Sequence, residues 1–275
     1  MLLPEPRTRA GQAGLAALLA DPARALVAVD FDGTLAPIVE RPEDARPAPG
    51  AVDALRTLAG RVGVVAVVSA RAATDVVALG GLDAVPGLWV LGHYGLERWL
   101  DGRLDSPEVS GAVGLARPLL AAIVAAAPDG VHLEDKHHSL VIHTRPAADG
   151  AAALSALTPG VRAVADEVGL EAVPGRLVIE LRPRGIDKGT ALYSLAVDRA
   201  AGAVVYVGDD LGDLPAFDAV DRLRGEGVAG LTVASVDPGV GDTPREPADR
   251  ADLVLAGPVE VVGFLLDLAA AIGEP

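Results

Sequence analysis

No cysteine occurs anywhere in the chain, which excludes disulfides, thiolate metal sites and a cysteine nucleophile together. Any metal must then be held by oxygen or imidazole, a donor set that points to a hard cation such as Mg²⁺. Aromatic residues make up only 3% of a sequence that is 51% hydrophobic, so the core must be built from interleaved aliphatic side chains rather than rings. Uninterrupted apolar runs of membrane-spanning length are missing, and the opening MLLPEPRTRAGQ lacks the apolar middle of a signal peptide. The expectation is a soluble cytoplasmic protein with no membrane association. Positive charge is also scarce. A formal net charge of −15 opposes binding to nucleic acid or to an anionic membrane, both of which demand a basic footprint. Lysine is scarcer still: 21 of the 23 basic residues are arginine, leaving only Lys136 and Lys188. A compact ammonium and a planar guanidinium are not interchangeable, so those two positions stand out. Nothing in the sequence indicates a protein partner.

What is present reads as α/β. With 275 residues the chain can form one large domain or two modest ones. Residues 26–30 and 62–69 read as buried parallel strands, with a helix at 50–60 between them. The same alternation returns with a helix at 187–201, strands at 203–208, 229–235 and 252–255, and a helix at 258–272. A doubly wound, Rossmann-like parallel sheet follows, with ligands expected at the carboxyl ends of its strands. Between residues 97 and 182 the pattern becomes helix, strand, strand, twice over: helices at 112–127 and 149–168, strand pairs at 131–135 with 139–144 and at 170–173 with 177–181. That suits a smaller α+β cap domain inserted into the core, giving a core of residues 1–96 and 183–275 and a cap of 97–182. Residues 236–250, rich in Pro, Gly and charge, read as a loop, and QAGLAALLAD near the start is compatible with a helix.

Chemistry-bearing residues gather at the strand ends. VAVDFDGTL sets Asp30 and Asp32 two positions apart at the close of a strand and turns at Gly33. VYVGDDLGD places Asp209, Asp210 and Asp213 after another strand, where three carboxylates repel one another unless a cation such as Mg²⁺ neutralises them. Ser69 ends a third strand in VVSAR, and Lys188 opens a helix in GIDKGTAL. A hydroxyl and an ammonium brought toward acidic clusters and a cation make chemical sense if a phosphate lies between them. One carboxylate can then attack phosphorus while its neighbour moves the proton, which accounts for two aspartates at this spacing.

DFDGT, Ser69, Lys188 and GDDLGD, in this order, resemble the four motifs of the haloacid dehalogenase superfamily of phosphotransferases. The resemblance implies that Asp30 is the nucleophile, that Asp32 is the general acid/base, and that Thr34, Ser69 and Lys188 hold phosphate and nucleophile. It also implies that Asp30, the backbone of Asp32, and Asp209 ligate Mg²⁺, with Asp213 and Asp210 supporting the metal site. Finer stretches, namely DFDGTLAPI, SAR, GHYGLE, LEDKHHSLVIHTR, RLVIELRPRGIDKGTAL and GDDLGDLPAF, resemble trehalose-6-phosphate phosphatases from end to end. Carried over by position, Glu134, Lys136, Arg145 and Glu180 fall where that family's cap recognises sugar hydroxyls, with Arg182 and Arg71 as further substrate candidates. The expected activity is Mg²⁺-dependent hydrolysis of trehalose 6-phosphate in trehalose biosynthesis. Three departures from the family pattern are Ala70 in SAR, Tyr94 where histidine is usual, and the Gly212-Asp213-Leu214 stretch. Alternatives with the same chemistry are phosphatases of sucrose 6-phosphate or mannosyl-3-phosphoglycerate and a phosphomutase; a non-catalytic sugar-phosphate sensor is the alternative of a different class. His132, His137, His138 and His143 read as hairpin residues rather than a zinc site, and Trp89 and Trp99 as packing residues.

Overall fold

The computed structural model describes residues 3–239 and 245–273. The chain divides into two compact units, one running to Ser106 and resuming at Asp187, the other spanning Pro107–Ile186. With elements numbered along the chain, the larger unit holds β1 (Ala25–Asp30), β2 (Val64–Val68), β3 (Leu88–Gly92), β4 (Glu97–Leu100), β5 (Arg103–Asp105), β10 (Ala203–Gly208), β11 (Ala229–Ser235) and β12 (Leu253–Leu255). They form one sheet in the order β12-β11-β10-β1-β2-β3-β4-β5. The strands from β12 to β3 are mutually parallel, and β4 and β5 extend the sheet antiparallel. Strand order reverses on either side of β1, the point at which a doubly wound sheet opens a crevice beyond its carboxyl ends.

Why these segments are strands is plain from burial: every residue of β1 (ALVAVD), β2 (VVAVV) and β10 (AVVYVG) is buried, as expected of parallel strands covered on both faces. Alternate residues of β1 feed two different cores. Val27 and Val29 pack with Leu55, Leu58 and Leu265 from α2 (Ala51–Ala59) and α9 (Gly257–Ile272). Leu26 and Ala28 pack with Leu192, Leu195 and Phe217 from α6 (Lys188–Asp198) and α7 (Leu214–Gly225). The N-terminal helix α1 (Arg9–Ala20) lies so close to β11 that a Cβ on Gly14 would overlap the Gly230 carbonyl. Short helices α3 (Ala73–Gly80) and α8 (Glu246–Arg250) complete the unit.

The smaller unit contains α4 (Gly111–Ala125), β6 (His132–Asp135), β7 (Leu140–His143), α5 (Gly150–Val168), β8 (Leu170–Gly175) and β9 (Val178–Pro183). Its antiparallel sheet runs β6-β7-β9-β8. Leu140, Ile142, Leu170, Ile179 and Leu181 pack on Val113, Ala116 and Leu120 of α4 and Val161, Val164 and Ala165 of α5. The strand residues between them point to the other face of the sheet.

Several sequence expectations change. The units part at 106/107 and 186/187 rather than 96/97 and 182/183, because residues 97–105 add hydrogen-bonded strands to the core sheet through the Gly92↔Glu97 and Val90↔Trp99 pairs. Trp99 is accordingly buried in the core cluster, and Trp89 lies under the Arg199 guanidinium, 4.5 Å from ring centroid to cation. Helix α3 and strand β3 lie outside the expected elements, since DVVALGGLDAVPGLWV has neither clean periodicity nor a cap signal, and β4 and β5 likewise add strands where none is expected. Of the expected loop at 236–250, residues 246–250 form α8, while 240–244 lie outside the described residues. Among the described residues no helix is long and apolar enough to cross a membrane.

Candidate active site

Asp30 is the last residue of β1, and the chain folds back on itself at once: the Phe31 carbonyl accepts the Leu35 and Ala36 N–H groups, and Gly33 N–H donates to the Ala36 carbonyl. Gly33 has φ 80°, and a Cβ there would overlap the Asp209 carboxylate. Both the turn and the close approach of two acidic loops therefore need glycine. Ser235, ending β11, secures the turn by donating from Oγ to the Gly33 carbonyl at 2.8 Å. Thr34 Oγ1 donates to Asp209 Oδ1 at 3.2 Å.

Lys188 is the first residue of α6, whose cap, Asp187, accepts the Thr190 N–H at 2.7 Å. From there Lys188 Nζ reaches 2.8 Å from Asp30 Oδ1 and 2.8 Å from Asp213 Oδ1. Asp213 is fully buried and saturated. Its Oδ1 also accepts from the Tyr206 hydroxyl at 2.7 Å, and its Oδ2 accepts the N–H groups of Asp209 at 2.8 Å and Asp210 at 3.1 Å. Carboxylate oxygens of Asp30, Asp209 and Asp213 lie within 4.8 Å of one another.

Electrostatics differ sharply within this cluster. Burial pushes the Asp30 carboxyl well above its usual range, and Asp213 and Asp209 add to the push against the pull of Lys188. Burial likewise raises Asp209 to about 8, with Asp213 and Asp210 contributing. Asp213 is buried too, yet the Lys188 ammonium and its hydrogen bonds hold it below the ordinary value. Burial alone would lower Lys188, but Asp213 and Asp30 keep it well above a free lysine. Lys188 and Asp213 are thus an ion pair, and Asp30 and Asp209 are carboxyls lacking enough positive charge.

Asp210 stands outside that trio: its Oδ1 accepts the Gly212 N–H at 2.8 Å and caps the turn Leu211–Asp213. Asp32 is held by a two-point fork from Arg71, Nε to Oδ2 at 2.6 Å and Nη2 to Oδ1 at 2.7 Å, while Arg71 Nη1 donates to the Pro42 carbonyl at 2.9 Å. Arg71, expected to touch substrate, is therefore engaged with Asp32. Ser69 Oγ accepts the Arg71 N–H at 3.2 Å. The turn after β3 donates Tyr94 N–H to the Ser69 carbonyl and His93 N–H to the Arg71 carbonyl, so Tyr94 braces the Ser69 loop through its backbone.

In the smaller unit the register aligns Glu134, Val141, Glu180 and Val173 across the sheet, on the face away from α4 and α5. His143 Nε2 lies 2.7 Å from Glu134 Oε2, and Ser139 Oγ donates to Glu180 Oε1 at 2.6 Å. Arg182 Nε pairs with Glu171 at 2.9 Å. Lys136 sits one residue beyond the end of β6, so strand alternation does not by itself align it with Glu134; its N–H donates to the Ser139 carbonyl. Arg145 is exposed, two residues past β7. The β6–β7 turn uses His137 at φ 69°, with its N–H held by Asp135 Oδ1. Sequence reasoning missed Tyr206, Ser235, Ser139 and the fork between Arg71 and Asp32. Only Tyr206 left a trace, as the single hydroxyl-bearing residue in the aliphatic run AVVYVG.

The parallel sheet whose central strand ends in Asp30, beside an acid cluster held by a buried lysine, is similar in fold to a haloacid dehalogenase-like hydrolase from Bacteroides thetaiotaomicron, with a TM-score of 0.64 at 15% identity over 89% of this chain and 99% of that one. The chain belongs to the trehalose-phosphatase family, whose model matches residues 28–243. A trehalose-phosphate phosphatase of Mycobacterium marinum is 40% identical over 211 residues, which cover 72% of this chain and 52% of that protein. An uncharacterised glycosyl hydrolase of Mycobacterium tuberculosis is 38% identical over 219 residues, 74% of this chain and 16% of the larger protein. The chain thus spans about half the length of the curated trehalose-phosphate phosphatase and a smaller share of the glycosyl hydrolase. In fold it is similar to the C-terminal domain of C. albicans trehalose-6-phosphate phosphatase, with a TM-score of 0.75 at 21% identity over 98% of this chain and 99% of that one.

Proposed function

We propose that the chain hydrolyses trehalose 6-phosphate to trehalose and inorganic phosphate through an aspartyl phosphate on Asp30. The observation that carries this reading is the buried trio Asp30, Lys188 and Asp213, joined at 2.8 Å on either side of one ammonium, in a chain of the trehalose-phosphatase family. Asp30 attacks phosphorus as the bond to the sugar oxygen breaks, and Asp32 delivers its proton to that leaving oxygen. Asp32, now a carboxylate, takes a proton from the water that displaces phosphate from Asp30. Arg71 orients Asp32 through its two-point contact and must release one of its oxygens before Asp32 carries the proton it delivers. Lys188 fixes the Asp30 rotamer and offsets negative charge on the transferring group, while Thr34 and Ser69 hold phosphate and nucleophile.

The donor set fits a hard divalent cation. It is all oxygen, and two of its carboxyls, Asp30 and Asp209, are held above their usual range for want of positive charge. Asp30, Asp209 and the backbone of Asp32 would hold Mg²⁺. Asp213 would support the site by fixing the Asp209 backbone, and Asp210 by capping the same loop. The ion would supply charge neutralisation on the phosphoryl group.

Residues 107–186 act as the sugar-selecting cap, with Glu134, Glu180, Lys136 and Arg145 as its contacts and Arg182 shaping that face through Glu171. A cytoplasmic setting belongs to the same reading. The test is phosphate release from trehalose 6-phosphate, sucrose 6-phosphate, mannosyl-3-phosphoglycerate and glucose 6-phosphate in parallel, with Mg²⁺ and with chelator. Selective, metal-dependent release from the trehalose ester is expected. Release from the other esters alone would keep the chemistry of Asp30 and overturn the substrate.

A further inference from the structure

The polar face of the cap sheet carries a second layer of contacts that the sugar-binding reading does not use. His132 and His143 are directly cross-strand partners on β6 and β7. Their rings stack with centroids 4.8 Å apart and planes 6° from parallel. Glu134, two residues along from His132, lies on the same face, and its Oε2 is 2.7 Å from His143 Nε2. Such a contact requires His143 to carry its proton on Nε2 and to donate. The hydrogen bond from His143 is also the largest influence holding the Glu134 carboxyl below its ordinary value, so Glu134 stays a hydrogen-bond acceptor.

We infer that His143 is a positioning residue for sugar recognition: its Nε2–H fixes Oε2 of Glu134, and the stacked ring of His132 limits the rotation of His143, leaving Oε1 of Glu134 set to accept a sugar hydroxyl. The inference rests on the proposed role of Glu134. An unbraced glutamate on a strand samples several rotamers, and freezing it upon binding costs affinity. A brace made before substrate arrives removes that cost, which appears in KM and not in the chemical step. Glu180 is held in the same manner by Ser139, the residue before β7, so both carboxylates proposed to meet the sugar are held by neighbours within the smaller unit. His143 is half-buried rather than part of the cap core, which makes substitution tolerable.

The experiment compares trehalose 6-phosphate with p-nitrophenyl phosphate, an ester with no sugar to grip. His143→Ala is expected to raise KM for the sugar ester by about five- to tenfold, the size of one lost hydrogen bond. Its kcat, its turnover of p-nitrophenyl phosphate and its thermal midpoint should stay at wild-type values. His143→Gln, which keeps a donor near the place of Nε2, should recover most of the loss. In a Glu134→Ala background, His143→Ala should add nothing further. An unchanged KM in His143→Ala, or an equal loss with and without Glu134, overturns the inference. A wild-type protein that does not favour any sugar phosphate over p-nitrophenyl phosphate would overturn the substrate reading and this inference with it. Discrimination left undiminished by His143→Ala would overturn the inference alone.

Discussion

Two clusters of charged residues in this chain are built on opposite principles. At the end of β1, Asp30, Asp213 and Lys188 are nearly or fully buried, at 4%, 0% and 4% exposure, and each polar atom of Asp213 is committed to a partner within the protein. On the cap sheet Glu134, Lys136 and His143 are only partly covered, and hydrogen bonds between neighbours hold the face in shape without neutralising it. Burial makes the first cluster strong, rigid and intolerant of change, because an unpaired charge there has no water to turn to. Partial exposure makes the second weaker contact by contact, so losing one of its hydrogen bonds costs less than losing a partner in the buried cluster.

The sharpest break in that contrast is Asp30→Asn. Removing the proposed nucleophile should cut turnover of every phosphate ester by at least about a thousandfold, read as phosphate release from both trehalose 6-phosphate and p-nitrophenyl phosphate. Next comes Lys188→Met, which leaves Asp30 and Asp213 buried without their cation. It should cost about 3–5 kcal/mol in urea unfolding as well as activity, whereas Lys136→Met in the cap should leave the unfolding free energy almost unchanged. Smaller is the effect of Glu180→Gln, expected to raise KM for the trehalose ester by about tenfold while sparing p-nitrophenyl phosphate.

The smallest expected effect concerns pH. Asp209 is raised from 3.8 to about 8, so the folded state binds its proton more tightly than the unfolded chain does. Its stabilising share is complete below 3.8 and is lost as pH rises through about 8. In chelator, the thermal midpoint should therefore fall by a few degrees between pH 6 and pH 9. Saturating Mg²⁺ should flatten that slope by favouring the ionised carboxylates. A midpoint independent of both pH and metal would remove the cluster's need for a cation.

The same contrast explains what could be read from the sequence. Strand-end aspartates announce themselves, because a fully apolar run such as LVAV followed by Asp30 is unusual enough to mark a site, and the order of Asp30, Ser69, Lys188 and Asp209 located the crevice. The rarity of lysine marks Lys136 and Lys188 alike, and only the order of the motifs sets Lys188 apart. Contacts between distant segments left no such mark. The fork from Arg71 to Asp32 spans 39 residues, and Ser235 reaches Gly33 across 202, separations that no local pattern encodes. Residues 97–105 fall inside the expected cap because nothing local marks them as strands of the core sheet, which they join only through pairing with β3. In the cap, periodicity located the hairpin and the helices, whereas Glu134 and Glu180 drew notice through family likeness; alternating charge on a half-exposed strand has many causes.

Rapid quenching of the enzyme with trehalose 6-phosphate carrying radiolabelled phosphate, followed by peptide mapping, tests the central claim most directly. Acid-stable but hydroxylamine-labile label is expected on the peptide containing Asp30, formed in Mg²⁺ and absent in chelator. It should not form when glucose 6-phosphate replaces the trehalose ester. Phosphate release without any label on that peptide, or label formed equally from both esters, would contradict the account.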